Sequence, residues 1–162
     1  MRVALVGGVA ALFTSPVPTG SLLLDLGSGA WGVALDGALE GTAIRSAAPG
    51  QLALTLQWMS LGARWRFSGG PVDFDLGLGV RGSRLVAEAQ GFTTNLSKTL
   101  LGLGPAATAT VWVRLIGPLQ LVVRVSAALR LPAEQLVIVN GPTVDLGLVQ
   151  LHALGGLALA WP

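Results

Sequence analysis

The sequence predicts an all-β fold, an eight-stranded antiparallel up-and-down transmembrane β-barrel, with residues 1–162 forming a single domain. First, apolar and polar residues alternate with a period of two in one segment after another, as on two-faced strands. Second, only 11% of the residues are charged and the mean hydropathy is +0.69, which leaves little polar surface for a water-soluble exterior. Third, no apolar stretch suits a membrane-spanning helix, so a closed barrel is the remaining way to pair the backbone in a bilayer.

Turn residues divide the chain into eight predicted strands. These span residues 2–13, 20–28, 30–46, 51–67, 71–88, 104–116, 118–132 and 143–161. The first segment also resembles a secretory signal, because Met1 and Arg2 precede a short apolar run, but no cleavage site of small residues follows. We expect it to be the first strand and an export signal to be absent from this sequence.

The predicted connections alternate in length. Short turns at residues 27–29, 68–71 and 116–118 alternate with longer loops at residues 14–19, 90–102 and 132–142, while residues 47–50 are barely longer than a turn. Bacterial outer-membrane barrels have this asymmetry, with the short turns on the periplasmic side. Both chain termini would then be periplasmic.

The seventh segment has the clearest pair of faces. From Leu119 to Leu131 every odd position is apolar, whereas the even positions include Arg124 and Arg130. We expect the apolar face to contact lipid and the polar face to line the lumen. The fifth and sixth segments repeat this pattern.

The fourth segment changes phase once. Its apolar residues lie at even positions from Leu52 to Trp58 and at odd positions from Leu61 to Phe67. A β-bulge near residues 59–60 would keep both runs on the lipid side. The alternative is that two shorter strands meet there.

Charged side chains project inward in this arrangement. An eight-stranded barrel is just wide enough for side chains to fill its interior, so opposite charges there should pair. The predicted lumen network comprises Asp25, Asp36, Glu40, Arg64, Arg66, Asp73, Asp75, Arg81, Arg114, Arg124, Arg130 and His152. We expect a structural core of salt bridges, and the alternative is a narrow arginine-lined path that favours anions.

His152 is the single histidine, and we expect it to be a lumen residue with satisfied hydrogen bonds. A barrel hydrolase would use such a histidine as general base, with Ser126 and Asp145 as the nearest partners in sequence. We expect no catalysis and no cofactor, because no spacing places these groups together. No metal-ligand spacing and no basic tract with interleaved aromatics is present, so neither metal nor nucleic-acid binding is predicted.

The C-terminal residues Gly156 to Trp161 resemble the terminal signal of bacterial outer-membrane β-barrels, with Gly156, Leu159 and Trp161 at the matching positions. The chain as a whole resembles small barrels of the OmpA-transmembrane and OmpX type. This resemblance implies location in the bacterial outer membrane and insertion by the outer-membrane assembly machinery. Candidates for the membrane interfaces are Trp31, Trp58, Trp65, Phe67, Phe74 and Trp161. The sequence lacks tyrosine, so five tryptophans and four phenylalanines must supply the aromatic girdles that such barrels usually carry. Together with the expected absence of an export signal and the single lysine, this makes an engineered or designed barrel an alternative origin.

The leading functional hypothesis is a monomeric membrane barrel with a structural or scaffold role, whose partners are the lipid bilayer or detergent. Residues 90–102 would provide any contact surface outside the membrane. One alternative is the anion-favouring pore. Another is a water-soluble, lipocalin-like ligand-binding barrel, which would need polar residues where positions 119, 121, 123 and 125 are apolar.

Overall fold

A computed structural model describes residues 1–12, 15–27, 29–47, 50–92, 97–132, 135–137, 143–145 and 149–161. Its strands are β1 (Arg2–Leu12), β2 (Ser15–Leu26), β3 (Trp31–Ala47), β4 (Gly50–Gly69), β5 (Val72–Gln90), β6 (Ser97–Arg114), β7 (Leu119–Leu129), β8 (Gln135–Val137), β9 (Thr143–Asp145) and β10 (Val149–Ala160). Within these ranges no helix is long and apolar enough to cross a membrane.

Eight of the strands form a closed antiparallel barrel in the order β1-β10-β7-β6-β5-β4-β3-β2. The ring closes where β1 pairs with β10, from Arg2 opposite Ala160 to Ala11 opposite Leu151. Closure removes the sheet edges that an open sheet would leave in the wall. The predicted eight-stranded barrel is therefore confirmed, and residues 2–12 are its first strand.

The two ends of the barrel differ. Short connections join β2 to β3, β4 to β5 and β6 to β7 at one end, here called the turn end, and Gly70 and Gly117 adopt positive φ angles of 63° and 56° there. Both chain ends lie at this end too, where the amino group of Met1 donates to the carbonyl of Trp161 over 2.9 Å. At the opposite, loop end, β8 and β9 pair with each other between β7 and β10.

Several predicted boundaries are wrong. Residues 15–19 belong to β2 rather than to a loop, although Pro16 and Pro18 cannot donate to a sheet ladder. They are accommodated because pairing of β2 with β3 begins only at Thr19, so this part of β2 has one neighbour. Likewise β6 begins at Ser97, which shortens the predicted loop at residues 90–102, and β10 begins at Val149 instead of residue 143. The predicted loop at residues 132–142 lies partly outside the described residues.

The bulge lies in β3 and not in β4. The strands pair continuously from Leu39 opposite Gln57 towards the turn end, but the next pair towards the loop end is Thr42 opposite Thr55. Glu40 and Gly41 therefore oppose a single residue of β4, as in a β-bulge. In contrast, β4 pairs with β5 in one uninterrupted register over its whole length. The predicted bulge at residues 59–60 is wrong, and so is the alternative of two short strands.

Candidate functional site in the barrel interior

Two groups of interacting polar side chains and two apolar clusters lie in the lumen, one of the clusters being Ala4, Val6, Leu23, Trp112, Val122, Leu154 and Ala158. The turn-end network consists of Arg2, Asp25, Arg64, Arg66, Asp73, Asp75, Trp112 and Arg114. The mid-lumen network consists of Asp36, Glu40, Trp58, Ser60, Arg81, Arg124, Ser126 and His152. The outer apolar cluster also lies inside the lumen, nearer the loop end than the two networks. It consists of Ala10, Val17, Ala38, Ala43, Leu54, Leu56, Trp58, Leu85, Ala87 and Leu100.

Asp25 and Asp75 hold the turn-end network together. Asp25 accepts from Arg64 Nε at 2.9 Å and from Arg66 Nη2 at 2.6 Å. Arg66 also binds Asp75 through two hydrogen bonds of 2.7 Å, a bidentate geometry that is among the strongest in proteins. The indole of Trp112 donates to Asp75 at 2.7 Å. These carboxylates are therefore paired, as buried charges must be.

A second group in this network surrounds Asp73. Arg2 forms a salt bridge with Asp73, and its guanidinium lies 5.0 Å from the centre of the Trp112 ring. Arg114 approaches the same carboxylate at 3.4 Å from the barrel mouth, with about half of its side chain exposed. The inward phase of β1 could have identified Arg2, which the sequence analysis missed.

The mid-lumen network joins residues from opposite walls. Arg124 on β7 lies 2.5 Å from Asp36 on β3, and Ser60 on β4 donates to the same carboxylate. Arg81 on β5 lies over the ring of Trp58, with 3.8 Å between Cζ and the ring centre. These contacts cross the lumen, so side chains from opposite walls meet in this layer.

Ser126, His152 and Glu40 lie in the order of a catalytic triad. Ser126 Oγ is 3.2 Å from His152 Nδ1, and His152 Nε2 is 2.6 Å from Glu40 Oε1. Trp58 donates to the same Glu40 oxygen at 2.9 Å. All three triad-like residues are buried. Asp145, the carboxylate considered for such a site in the sequence, belongs to β9, outside the barrel wall, and Glu40 on β3 occupies that position instead.

Arg81 changes the chemistry of this arrangement. It donates from Nη1 to His152 Nδ1 at 2.9 Å and from Nη2 to Ser126 Oγ at 3.1 Å. A guanidinium has only donors, so Nδ1 must be an unprotonated acceptor and the ring proton lies on Nε2, facing Glu40. The lone pair that would take the serine proton is therefore already occupied.

The outer face inverts its polarity along β4 and β5. In β4 the outward residues are Met59, Leu61, Ala63, Trp65 and Phe67 towards the turn end, and Gln51, Ala53, Thr55 and Gln57 towards the loop end. The inward residues invert in the opposite sense, from Arg64 and Ser60 to the buried Leu56, Leu54 and Leu52. β5 does the same, with Leu76 and Val80 outward at one end and Arg84 and Glu88 outward at the other. The shift of apolar residues from odd to even positions in the fourth predicted segment therefore marks where the outer face of β4 passes from apolar to polar.

The comparisons with known proteins agree on the architecture. No protein-family model and no curated protein matches the sequence. Among solved structures, the chain superposes on a major outer membrane protein from Thermus thermophilus with a TM-score of 0.70 and 14% identity, covering 99% of this chain and 98% of that one. Neisserial surface protein A gives a TM-score of 0.64 and 12% identity over 99% and 95% of the chains. The chain has the fold of the small eight-stranded outer-membrane β-barrels.

One similar structure is an enzyme. The outer membrane enzyme PagL superposes with a TM-score of 0.53 and 11% identity, covering 99% of this chain and all of that one. The fold of these outer-membrane barrels therefore accommodates catalysis in at least one protein and leaves the chemistry of a given barrel to its side chains.

Most predicted lumen residues face inward in this outer-membrane barrel fold. Arg130 is buried and packs beside Gly102, whereas Arg114 lies at the mouth. The prediction that Trp58 lies at a membrane interface is wrong, because Trp58 is 3% exposed and lies in the lumen. It was placed outside because the apolar face of β4 was assumed to face outward along the whole strand. Among the described residues, no group of three metal-binding side chains is close enough to hold an ion.

The other predicted aromatics are outside. Trp31 and Trp65 stack with their ring centres 5.3 Å apart and their planes 7° from parallel. The ring centre of Phe67 lies 4.8 Å from that of Trp65 and 6.2 Å from that of Phe74. The four rings therefore form a continuous row across β3, β4 and β5 near the turn end. Trp161 is exposed at the same end. The row gives this end of the outer surface an aromatic girdle on one side.

Removing the carboxylate that joins two arginines should destabilise the barrel. Asp25→Asn leaves Arg64 and Arg66 without a shared counter-charge in a buried site, and we expect the free energy of unfolding to fall by about 3–5 kcal/mol. Urea titration of the protein folded in detergent measures this change. The matched control is Glu88→Gln, an exposed outward carboxylate, which should change stability by less than about 0.5 kcal/mol. Equal effects of the two substitutions would contradict a structural role for the network.

Proposed function

We propose that this chain is an integral outer-membrane β-barrel with a sealed lumen and a structural or scaffold role. The observation that carries the proposal is the inversion of polarity along β5, whose outward residues are apolar from Val72 to Val80 and include Arg84 and Glu88 beyond them. The apolar part spans nine residues, 72–80, which suits one crossing of a bilayer by a tilted strand. The polar part suits the water beyond it.

The outer surface supports a lipid environment. Large apolar side chains are exposed on all eight barrel strands, including Leu5, Leu78 and Leu101, which are at least 70% exposed. In water such a continuous band would far exceed the apolar patches that soluble monomers carry. A lipocalin-like barrel requires the opposite arrangement, with a polar exterior around an apolar cavity. The exterior therefore opposes the water-soluble alternative.

The filling of the lumen supports a closed barrel and opposes the anion-favouring pore. The four arginines of the turn-end network that would attract anions each pair with a carboxylate, namely Arg2, Arg64, Arg66 and Arg114. Beyond the mid-lumen network, Leu54, Leu56 and the other members of the outer apolar cluster occupy the path to the loop end. An ion would have to break salt bridges and then cross an apolar layer.

Arg81 supports a non-catalytic role for the triad-like residues. It occupies the acceptor nitrogen of His152 and also donates to the Ser126 hydroxyl, so Ser126 has no free base. Glu40 is held by Trp58 as well as by His152. We infer that these residues form a packing and hydrogen-bonding network that joins β3, β5, β7 and β10 across the lumen.

The arrangement of residues at the end of β10 supports the proposal that the outer-membrane assembly machinery inserts this barrel. Leu159 and Trp161 project outward near the end of β10, while Gly156 faces inward opposite Val6. A side chain at Gly156 would lie 2.2 Å from the carbonyl oxygen of Leu5, so only glycine fits at this point of the closing pair. We propose that the machinery recognises this strand before it pairs with β1.

An arginine in the apolar band should impair insertion, whereas one beyond it should not. We expect Leu76→Arg, at the middle of the apolar part of β5 (residues 72–80), to reduce the stability of the barrel folded into phospholipid bilayers by about 2–4 kcal/mol. Val86→Arg places the same residue on the same strand and face but beyond the polarity change, and should cost less than about 1 kcal/mol. Urea titration in large unilamellar vesicles measures both. Equal costs, or folding of the unmodified chain in plain buffer, would refute the membrane proposal.

The sealed lumen should carry no steady current. We expect the protein to give no stepwise conductance in a planar bilayer, because salt bridges and an apolar cluster lie across the path. Heat-modifiable migration of the same preparation on a gel confirms that the barrel is folded, and a porin added afterwards confirms that the bilayer reports channels. Regular current steps with anion selectivity would support the pore instead.

Ser126 should not react as a catalytic nucleophile. A fluorophosphonate probe is expected to leave the folded protein unlabelled, because the His152 lone pair is held by Arg81. A serine hydrolase in the same detergent serves as the positive control. Labelling that disappears in Ser126→Ala would show an active serine and overturn the non-catalytic proposal.

A further inference from the structure

The outer surface of β2 to β6 contains a broad depression. Across these strands one row of paired outward residues reads Leu22, Gly37, Met59, Gly82 and Leu103. The two glycines leave gaps on either side of Met59, and the depression has a volume of about 950 Å³. This is a space on the lipid-facing side of the barrel, separate from the networks of the lumen.

The floor of the depression is open. A β-carbon added at Gly82 would meet nothing within 4 Å, and one at Gly37 would come no closer than 3.4 Å to Met59 Cγ and to the Trp58 carbonyl oxygen. Neither glycine is therefore needed for close packing of the wall. Met59 is 64% exposed, and its flexible, polarizable side chain adapts to apolar partners. The missing side chains create room that an acyl chain can occupy.

Arg84 lies at the loop-end border of this depression. It is exposed, points outward, and is opposite Gln57 on β4 and Leu101 on β6. In the part of the chain that the structure describes, no carboxylate forms an ion pair with Arg84, and the residues directly below it on the outer face of β5 are Gly82 and Val80. The position coincides with the change from an apolar to a polar outer face, where lipid headgroups meet the barrel.

We propose that this depression binds an anionic phospholipid of the surrounding bilayer. The phosphate would lie at Arg84, whose planar guanidinium suits two hydrogen bonds to a phosphate, with the Gln57 amide as a second donor. One acyl chain would lie over Gly37, Met59 and Gly82. This inference rests on the proposed function, because only a barrel inserted in a membrane presents this face to lipid.

The choice of a lipid rests on the combination of charge and shape. An exposed cation directly beside an apolar hollow matches an amphiphile with an anionic head, and it would be a poor contact for a second copy of this chain, which would bring another Arg84 to an isologous interface. A zwitterionic lipid such as phosphatidylcholine would also bring a phosphate to Arg84, but its own ammonium group would oppose the arginine and neutralise the phosphate, so an anionic lipid is favoured.

The test compares lipids retained by the folded barrel. The protein and its variants are inserted into nanodiscs of equal parts phosphatidylglycerol and phosphatidylcholine, released into mild detergent and weighed by native mass spectrometry. We expect the unmodified barrel to retain phosphatidylglycerol in preference to phosphatidylcholine. Arg84→Gln should lower that preference by about fivefold, the value of one interfacial cation. Gly82→Leu should lower retention of both lipids, because its side chain fills the hollow.

Two matched variants control for charge and for shape. Lys98→Gln removes one positive charge from the loop end of β6, and Gly155→Leu adds a side chain at an outward glycine of β10, away from the depression. Both should retain lipid as the unmodified barrel does. Unchanged preference in Arg84→Gln, equal retention of the two lipids, or a dimer that Gly82→Leu abolishes would overturn the lipid site while leaving the membrane proposal intact. Failure of the unmodified chain to enter nanodiscs would instead refute both.

Discussion

The direction of each side chain along a β-strand is the constraint on which this structure depends. Without a bulge, a residue that points outward is followed two positions later by another that does. Because β5 has no register shift against β4 or β6, the outward change from Leu76 to Glu88 reflects a different environment and not a different geometry. The inward residues of the same strand change in the opposite sense, from Asp75 to Leu85. Along this one strand the outer face therefore passes from apolar to polar where the lumen face passes from charged to apolar.

The same constraint explains how far the sequence could predict the fold. The faces of β5, β6 and β7 follow from alternation because each carries one pattern through the membrane band. The face of β4 could not be assigned correctly by requiring an apolar exterior everywhere, and this requirement produced both the false bulge and the outward Trp58. The true bulge at Glu40 and Gly41 is defined by how β3 pairs with β4, and its one sign in the sequence is that the outward apolar residue moves from an odd position at Leu39 to an even one at Ile44.

The lumen could be predicted as a set of residues but not as a set of pairs. Alternation alone places Asp36, Glu40 and Arg124 inside. Their partners depend on the stagger between strands, which the sequence of one strand does not contain. Glu40 therefore meets His152, 112 residues away, and not a neighbour in sequence. Side-chain geometry also bears on the chemistry, since Arg81 contacts the same nitrogen of His152 that a catalytic serine would need as its base.

The polar interior also specifies the register of the barrel. A strand that was apolar on both faces could slip by one residue without a large penalty, because either face would suit the lipid. In β5 a slip of one residue would move Asp73, Asp75 and Arg81 from the lumen into the apolar band, where a charged residue is strongly unfavourable. The slip would also break the pairs with Arg2 and Arg66 on other strands. Even where a buried salt bridge adds little net stability, these charges favour one register over its neighbours, and that register places Glu40 beside His152 and Arg84 beside the depression.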